Sequence, residues 1–129
     1  LRARRNLGCQ GIRIFADVCK KHSLMFPGMD IGLHARWCDF YLADALIVTG
    51  AMTGEPPSLE DVRAVRQAAP GRPVIVGSGV DHSNIREFLE VADGVIVGTS
   101  LKYDGVTQNP VDPERVRRLI EKAKEARGK

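Results

Sequence analysis

The chain has 129 residues, of which 43% are hydrophobic and 27% are charged, and its formal net charge is only +3. These values are typical of one small globular domain. Aromatic residues make up 5% of the chain and do not alternate with basic residues, so we expect no nucleic-acid partner. No apolar run approaches the roughly 20 residues of a membrane span and no signal peptide is visible. We therefore expect a cytoplasmic protein, and contact with a membrane surface stays open.

The chain contains three cysteines, Cys9, Cys19 and Cys38, and none forms a C-x-x-C pair. An odd number without paired spacing argues against a disulfide framework or a zinc knuckle and favours a reducing compartment. The sequence begins at Leu1 and not at a methionine. We therefore expect either a piece of a longer chain or a natural start that lies further upstream.

Short apolar runs and helix-start signals alternate along the chain. After a polar, basic lead-in at 1–11, the single domain divides into four successive βα units, which are residues 12–43, 44–72, 73–92 and 93–129. Each unit opens on a short apolar run, which is typical of a strand buried on both faces. The predicted strands are residues 12–18, 45–49, 74–76 and 95–97.

Each strand is followed by residues that begin helices, and these precede apolar side chains at helical spacing. The predicted helix starts are, in order, Asp30, Ser58 with Asp61, Asp81 or Ser83, and Asp112-Pro113-Glu114. The first helix is expected to run to Leu42, with that residue on its apolar face. The last helix is expected to bury Val116, Leu119, Ile120 and Ala123.

Four βα units in series predict an α/β fold with parallel strands and right-handed crossovers. This is half of an eight-stranded (β/α)₈ barrel, and alone it leaves both edge strands unpaired. The rest of the sheet can come from an N-terminal half-barrel, from a second copy in a homo-oligomer, or from closure into an open flavodoxin-like sheet. We favour the half-barrel because two glycine-rich strand endings lie on the last two strands.

Those endings are the main functional signal of the sequence. Residues 73–80 read PVIVGSGV and residues 95–100 read VIVGTS, so each apolar run stops at glycine just before a helix start. Glycine lets backbone N–H groups approach a ligand, and the N–H groups and dipole of a helix start favour an anion. The pair predicts a phosphate site, with Gly77, Ser78, Gly79, Gly98, Thr99 and Ser100 as its residues. The simpler alternative is that the glycines only permit tight turns.

Polar residues at the other strand ends are expected to share the same rim. Asp17 can be a general base, a metal ligand or a hydroxyl acceptor, or simply a turn cap. Lys21 can bind an anion and His22 can move a proton, or both can be solvated loop residues. Glu55 is the best second carboxylate, although it can also be a charge at a helix start.

Thr49 and Lys102 complete the predicted ligand-binding set. Lys102 can pair with a phosphate, or it can be an ordinary surface lysine. The catalytic candidates are thus Asp17, His22 and Glu55. The same three side chains can hold a metal, but no ligand spacing demands one, and we expect no cofactor.

Several segments together resemble the BtpA/SgcQ family. They are DALIVTGAMTGEPP at 44–57, VGSGV at 76–80, ADGVIVGTSLK at 92–102, NPVDPERV at 109–116 and the ADV-x-x-KH pattern that ends at His22. The resemblance runs through nearly the whole chain, in order, and covers the C-terminal half of the family's barrel. It differs from the family pattern at residues 24–29, LMFPGM.

This resemblance implies a (β/α)₈ TIM barrel similar to phosphate-binding barrels. The family is named for photosystem I biogenesis, and some members are labelled nucleosidases. The resemblance therefore implies two functions. One is a hydrolase or nucleosidase-type enzyme that acts on a phosphorylated sugar or nucleotide-like molecule. The other is a non-catalytic assembly factor for a membrane complex, and an inactive, truncated half-barrel is a further alternative.

Overall fold

Four βα units follow one another in the computed structural model, which describes residues 2–19, 26–52 and 54–128. The elements are, in chain order, α1 (Arg2–Asn6), β1 (Phe15–Asp17), α2 (Ile31–Phe40), β2 (Ala45–Thr49), α3 (Leu59–Ala68), β3 (Val74–Gly77), α4 (Ile85–Val91), β4 (Gly94–Ile96) and α5 (Pro113–Ala126). Two short 3₁₀ turns, Thr99–Leu101 and Tyr103–Gly105, lie between β4 and α5. No helix in these described ranges is long and apolar enough to cross a membrane.

The strands form one parallel sheet in the order β1-β2-β3-β4. Each strand therefore pairs with its neighbour in sequence, as in a barrel, whereas a flavodoxin-like sheet swaps its first two strands. The predicted α/β half-barrel architecture is confirmed, and the flavodoxin-like alternative is excluded. Because all four strands are parallel, their carboxyl ends meet at the same edge of the sheet.

Alternation along the strands gives the sheet two different faces. Leu46, Val48, Val74 and Val76 point toward the helices and are completely buried. They pack in one core with helix residues of α2 to α5, including Ala35, Val62, Val65, Ile85, Phe88 and Leu119. The opposite, concave face is the one that points into a barrel.

Three of the four predicted helix caps hold in the structure. The side chains of Asp30, Ser58 and Asp112 accept hydrogen bonds from backbone N–H groups at the starts of α2, α3 and α5. The exception is α4, which begins at Ile85, two residues after the later predicted start. There the Asp81 carboxylate instead accepts the N–H of Ser83 at 2.7 Å, which holds the turn before the helix.

Two residues predicted to be buried are exposed. Helix α2 ends at Phe40, and Leu42 adopts a positive φ of 62° with 55% of its surface exposed. In α5, Ile120 is 49% exposed although Leu119 beside it is buried. Helical spacing identified which side chains share an apolar stripe, but nothing in the described part of the chain covers these two.

The amino ends of β1 and β2 are joined through Asp44. Its carboxylate accepts the N–H of Ile14 and the guanidinium groups of Arg13 and Arg4, at 2.8 to 3.0 Å. The Ile14 N–H, followed by Arg13 and Arg4, holds the pKa of this carboxyl far below its usual range. Asp44 therefore fixes the lead-in helix α1 to the amino-terminal ends of the strands, opposite to the carboxyl ends where the predicted site lies.

Candidate functional site

The carboxyl ends of β3 and β4 open onto one cavity of about 500 Å³. Five of the nine residues predicted to bind a ligand line it: Ser78, Gly79, Gly98, Thr99 and Ser100. The other lining residues are Gly54, Val80, Asp81, Ile96, Val97, Gly105 and Arg115. Both glycine-rich endings therefore lie at the same end of the sheet and share one concave space.

The turn after β3 has positive φ angles, which residues other than glycine rarely adopt. Ser78 has φ of 88° and Gly79 has φ of 65°. A Cβ atom on Gly79 would lie 2.0 Å from the backbone nitrogen of Pro56, so only glycine fits there. The loop from β2 to α3 thus lies directly against this turn, and Ser78 stores local strain of the kind often found at functional sites.

The turn after β4 is bonded to the turn after β3. The Ser100 hydroxyl donates to the carbonyl oxygen of Val80 at 2.7 Å. Ser100 belongs to the 3₁₀ turn Thr99–Leu101, which begins directly after Gly98. Backbone N–H groups at such a start lack partners within the turn, and here they lie beside the cavity.

Arg115 adds a cationic group to this cavity. It lies in the first turn of α5, and its Nη1 donates to the carbonyl oxygen of Ser100 at 3.2 Å. Its Nε lies 3.6 Å from the Asp112 carboxylate, which orients the guanidinium. Sequence reasoning missed Arg115, because the charged residues around it indicate a solvated helix face. Its placement depends on how the loop 102–110 returns α5 to the sheet.

Asp81 also lines the cavity, but its carboxylate is engaged elsewhere. Its Oδ1 accepts the hydroxyl of Ser83 at 2.6 Å and also the N–H groups of Ser83 and Asn84. Partial burial acts to raise the pKa of Asp81, yet these hydrogen bonds together outweigh it and leave the pKa below its usual value. The Asp81 charge is thus held by its own turn.

Four further predicted residues are described by the structure but do not line this cavity. Gly77 ends β3, where a Cβ would contact Ile47 at 2.9 Å, and the Thr49 hydroxyl donates to the Cys19 carbonyl oxygen at 3.4 Å. Glu55 is exposed in the loop that lies against Gly79. Lys102 forms an isolated bridge with Val111.

The predicted functional residues at and after the end of β1 divide into two groups. Asp17 is the last residue of β1 and is exposed at the same edge of the sheet as the cavity. Lys21 and His22 lie outside the described residues, so their predicted roles stay predictions. Across ranges 2–19, 26–52 and 54–128, no three His, Cys, Asp or Glu side chains are grouped to hold a metal ion.

The three cysteines do not contribute to the cavity at the ends of β3 and β4. Cys9, Cys19 and Cys38 are free thiols, and none lines the cavity. Burial, and to a smaller degree the Asp17 carboxylate, raises the pKa of the Cys38 thiol. Because the thiolate is the nucleophilic form, Cys38 is a poor nucleophile at neutral pH.

Comparison with known proteins identifies the family. Residues 1–125 match the BtpA family. The chain belongs to this family. It is 42% identical over 123 residues to the photosystem I biogenesis protein BtpA of Synechocystis, covering 94% of this chain and 42% of that protein. It is also 41% identical over 116 residues to an uncharacterised protein of Thermococcus kodakarensis, covering 90% of this chain and 44% of that protein.

This BtpA-family chain thus spans less than half the length of these relatives. Among solved structures, it is similar to N-(5'-phosphoribosyl)anthranilate isomerase from Pyrococcus furiosus, with a TM-score of 0.59 and 18% identity. The match covers 96% of this chain and 55% of the isomerase. At this identity the likeness shows the fold alone, which is TIM-barrel-like.

Proposed function

We propose that this chain forms the anion-binding half of a barrel that binds a phosphorylated small molecule, either a sugar phosphate or a nucleotide-like compound. The observation that carries the proposal is the hydrogen bond from the Ser100 hydroxyl to the Val80 carbonyl oxygen, which joins the turns after β3 and β4. Arg115 lies beside these turns, bonded to the Ser100 carbonyl oxygen. The residues of both turns and the Arg115 side chain line one concave space there, which would place backbone N–H groups and a guanidinium within reach of the same ligand. A phosphate is the ligand group that such donors recognise best.

The size of the cavity favours a ligand larger than free phosphate. Its volume of about 500 Å³ falls in the range of small-molecule sites. Ile96 and Val97 give it an apolar wall beside the polar turns. A phosphate at the turns would leave room for a sugar ring against this wall.

The strand spacing indicates where the reacting end would lie. Asp17 ends β1, which is two strand spacings, or about 10 Å, from β3. A pentose phosphate anchored at β3 and β4 would extend across β2 toward Asp17, and Glu55 lies in the loop between them. The two carboxylates are suited to hold sugar hydroxyls or to accept a proton from water.

The reaction class that fits these groups is a hydrolysis of the nucleosidase type. Water adds to C1 of the sugar, the C–N bond breaks, and the base leaves with a proton. Asp17 or Glu55 would accept the proton from water, and His22 is the predicted proton carrier to the leaving base.

Calorimetric titration with ribose 5-phosphate and with ribose tests the anion site. We expect the phosphate ester to bind and ribose to bind at least tenfold more weakly. Arg115→Gln should weaken ribose 5-phosphate binding about tenfold, which is the loss expected for one charge-assisted hydrogen bond. Arg117→Gln is the matched control, because Arg117 lies on the same helix but is exposed and pairs with Glu114. Equal binding of both sugars, or equal losses in both variants, would refute the proposal.

A second candidate function is assembly of a membrane complex, and the name of the Synechocystis relative is what favours it. In that case the carboxylates at the strand ends are not needed. Membrane fractionation of a Synechocystis strain that carries the chain decides between the two. Association with a membrane complex that persists in the double variant Asp17→Ala, Glu55→Ala would favour assembly. No association of either the unaltered chain or the variant would favour an enzyme.

A further inference from the structure

A second, smaller cavity lies between the start of α5 and the turn that precedes α4. It has a volume of about 130 Å³ and is lined by His82, Ser100, Leu101, Arg115, Arg118 and Leu119. His82 follows β3 and the other five follow β4, so this cavity is built from the last two βα units alone. We call it the α5 cavity, and we call the cavity of about 500 Å³ at the ends of β3 and β4 the strand-end cavity.

The two cavities share one wall. Of the described lining residues, only Ser100 and Arg115 belong to both. In this wall the Arg115 Nη1 donates to the carbonyl oxygen of Ser100 at 3.2 Å, and the Ser100 hydroxyl donates to the carbonyl oxygen of Val80 at 2.7 Å. A ligand that extended from one cavity into the other would have to break these bonds. Each cavity is therefore suited to a ligand of its own, with Arg115 beside both.

The polar lining of the α5 cavity favours an anion. Two guanidinium groups and one imidazole line it, and none of the described lining residues is acidic. Arg118 lies three positions after Arg115, so both side chains share one face of α5. The Arg118 Nε lies 3.7 Å from Oε1 of Glu114, which is too long for a hydrogen bond. The Arg118 guanidinium therefore keeps donors that a ligand can use.

The carboxylates nearest to this cavity are bound to other groups. Glu114 accepts the guanidinium of Arg117 at 2.7 Å, and Asp81 accepts the hydroxyl of Ser83 at 2.6 Å. Asp112 accepts the N–H of Glu114 at the start of α5. Paired guanidinium groups without a carboxylate in the lining are the donors that proteins use most often for phosphate.

The size of the α5 cavity limits the ligand. Its volume of about 130 Å³ is about a quarter of that of the strand-end cavity and lies below the roughly 300 Å³ at which pockets for larger organic ligands begin. A compact tetrahedral anion suits this volume, whereas a sugar phosphate needs the larger space.

We propose that the α5 cavity is a second anion site, which binds a small, doubly charged oxyanion such as inorganic phosphate. Arg115 couples this site to the strand-end cavity. Two anions on either side of one guanidinium share its charge and repel each other, so each weakens the binding of the other. The coupling rests on the proposed function, whereas anion binding in the α5 cavity does not.

NMR spectroscopy of the His82 imidazole during a titration with inorganic phosphate, at constant pH and ionic strength, tests the second site. We expect a saturable shift of the His82 resonance, which His82→Gln identifies among the three histidines. Arg118→Gln should weaken this phosphate binding at least tenfold. Lys122→Gln is the matched control, because Lys122 lies on the same helix but is exposed and pairs with Glu125. A shift that does not saturate, or equal losses in these two variants, would overturn the proposal.

The same titration in the presence of ribose 5-phosphate tests the coupling. As ribose 5-phosphate is raised to saturation, the phosphate affinity read at His82 should fall several-fold and then level off. Arg115→Gln should weaken phosphate binding at His82 and also ribose 5-phosphate binding. A phosphate affinity that falls without limit would show that both ligands compete for one cavity and would overturn the proposal, and an unchanged affinity would overturn the coupling. If ribose 5-phosphate does not bind but phosphate still shifts His82, the proposed function fails and the second anion site stands.

Discussion

The two faces of the four-stranded sheet differ in how deeply their side chains are buried. On the face toward the helices, Leu46, Val48, Val74 and Val76 are completely buried. On the concave face, neighbours in the same strands, such as Ile47 and Ile75, are only partly covered, and the edge residues are half exposed. The difference teaches that one face stabilises this chain, while the other borders the proposed site and leaves its apolar side chains partly solvated.

The largest expected effect compares these faces within one strand. Leu46→Ala removes a fully buried side chain and should lower the free energy of unfolding by about 2–5 kcal/mol. Ile47→Ala, on the concave face, should cost less than about 1.5 kcal/mol, because that side chain is already partly solvated. Urea unfolding of both variants measures the pair. Equal losses would mean that the concave face is already packed in this chain.

The next effect separates a glycine that the site requires from one that it does not. Gly79→Ala places a Cβ against the Pro56 backbone at positive φ, so it should cost roughly 2 kcal/mol or more. It should also weaken ribose 5-phosphate binding, since the loop and the turn must separate. Gly71→Ala is the control, because a Cβ there meets nothing within 4 Å. Thermal unfolding and calorimetry give the two readouts, and similar behaviour of the two variants would argue against a required turn.

A smaller effect is expected from the bond that joins the two turns. Ser100→Ala removes the hydrogen bond to the Val80 carbonyl and should cost about 1 kcal/mol, with a several-fold loss of phosphate-ester affinity. Ser83→Ala removes a bond of similar length, to Asp81, that lies on the exposed side of the turn. It should change stability to a similar degree but leave the affinity unchanged. If both serines alter affinity alike, the bond between the turns has no special role.

The smallest effect concerns the opposite end of the strands. The folded-state pKa of Asp44 lies below its unfolded value of roughly 3.9, so its contribution to stability is present above that pH. This contribution is lost as the pH falls below about 4, because protonation is then favoured in the unfolded chain. The melting temperature of Asp44→Asn should therefore fall less steeply than that of the wild type below pH 4. If the melting temperatures of the wild type and the variant fall in parallel below pH 4, Asp44 is not the titrating group.

The parts of the fold that depend on neighbouring residues could be predicted from the sequence. Residues 45–49 were predicted as a strand and form β2, and the caps Asp30, Ser58 and Asp112 hold because a cap needs only the next turn of helix. The edge strand β1 is shorter than the predicted 12–18, since among the described residues it pairs only with β2.

The residues that sequence reasoning misplaced depend on distant contacts. Ile120 belongs to an apolar stripe, but periodicity does not reveal whether another segment covers the stripe. Arg115 lies seventeen positions after Gly98 in the sequence, yet the return of α5 places its guanidinium on Ser100. The glycine-rich strand endings indicated where the cavity lies. The Arg115 guanidinium at the cavity could not be predicted, because only the folded structure brings it there.

A crystal structure of this chain soaked with ribose 5-phosphate tests the central claim most directly. We predict phosphate density between Gly79, the turn Thr99–Leu101 and Arg115, with the sugar directed across β2 toward Asp17. Phosphate density anywhere else on the chain, or an empty cavity at saturating ligand, would contradict it.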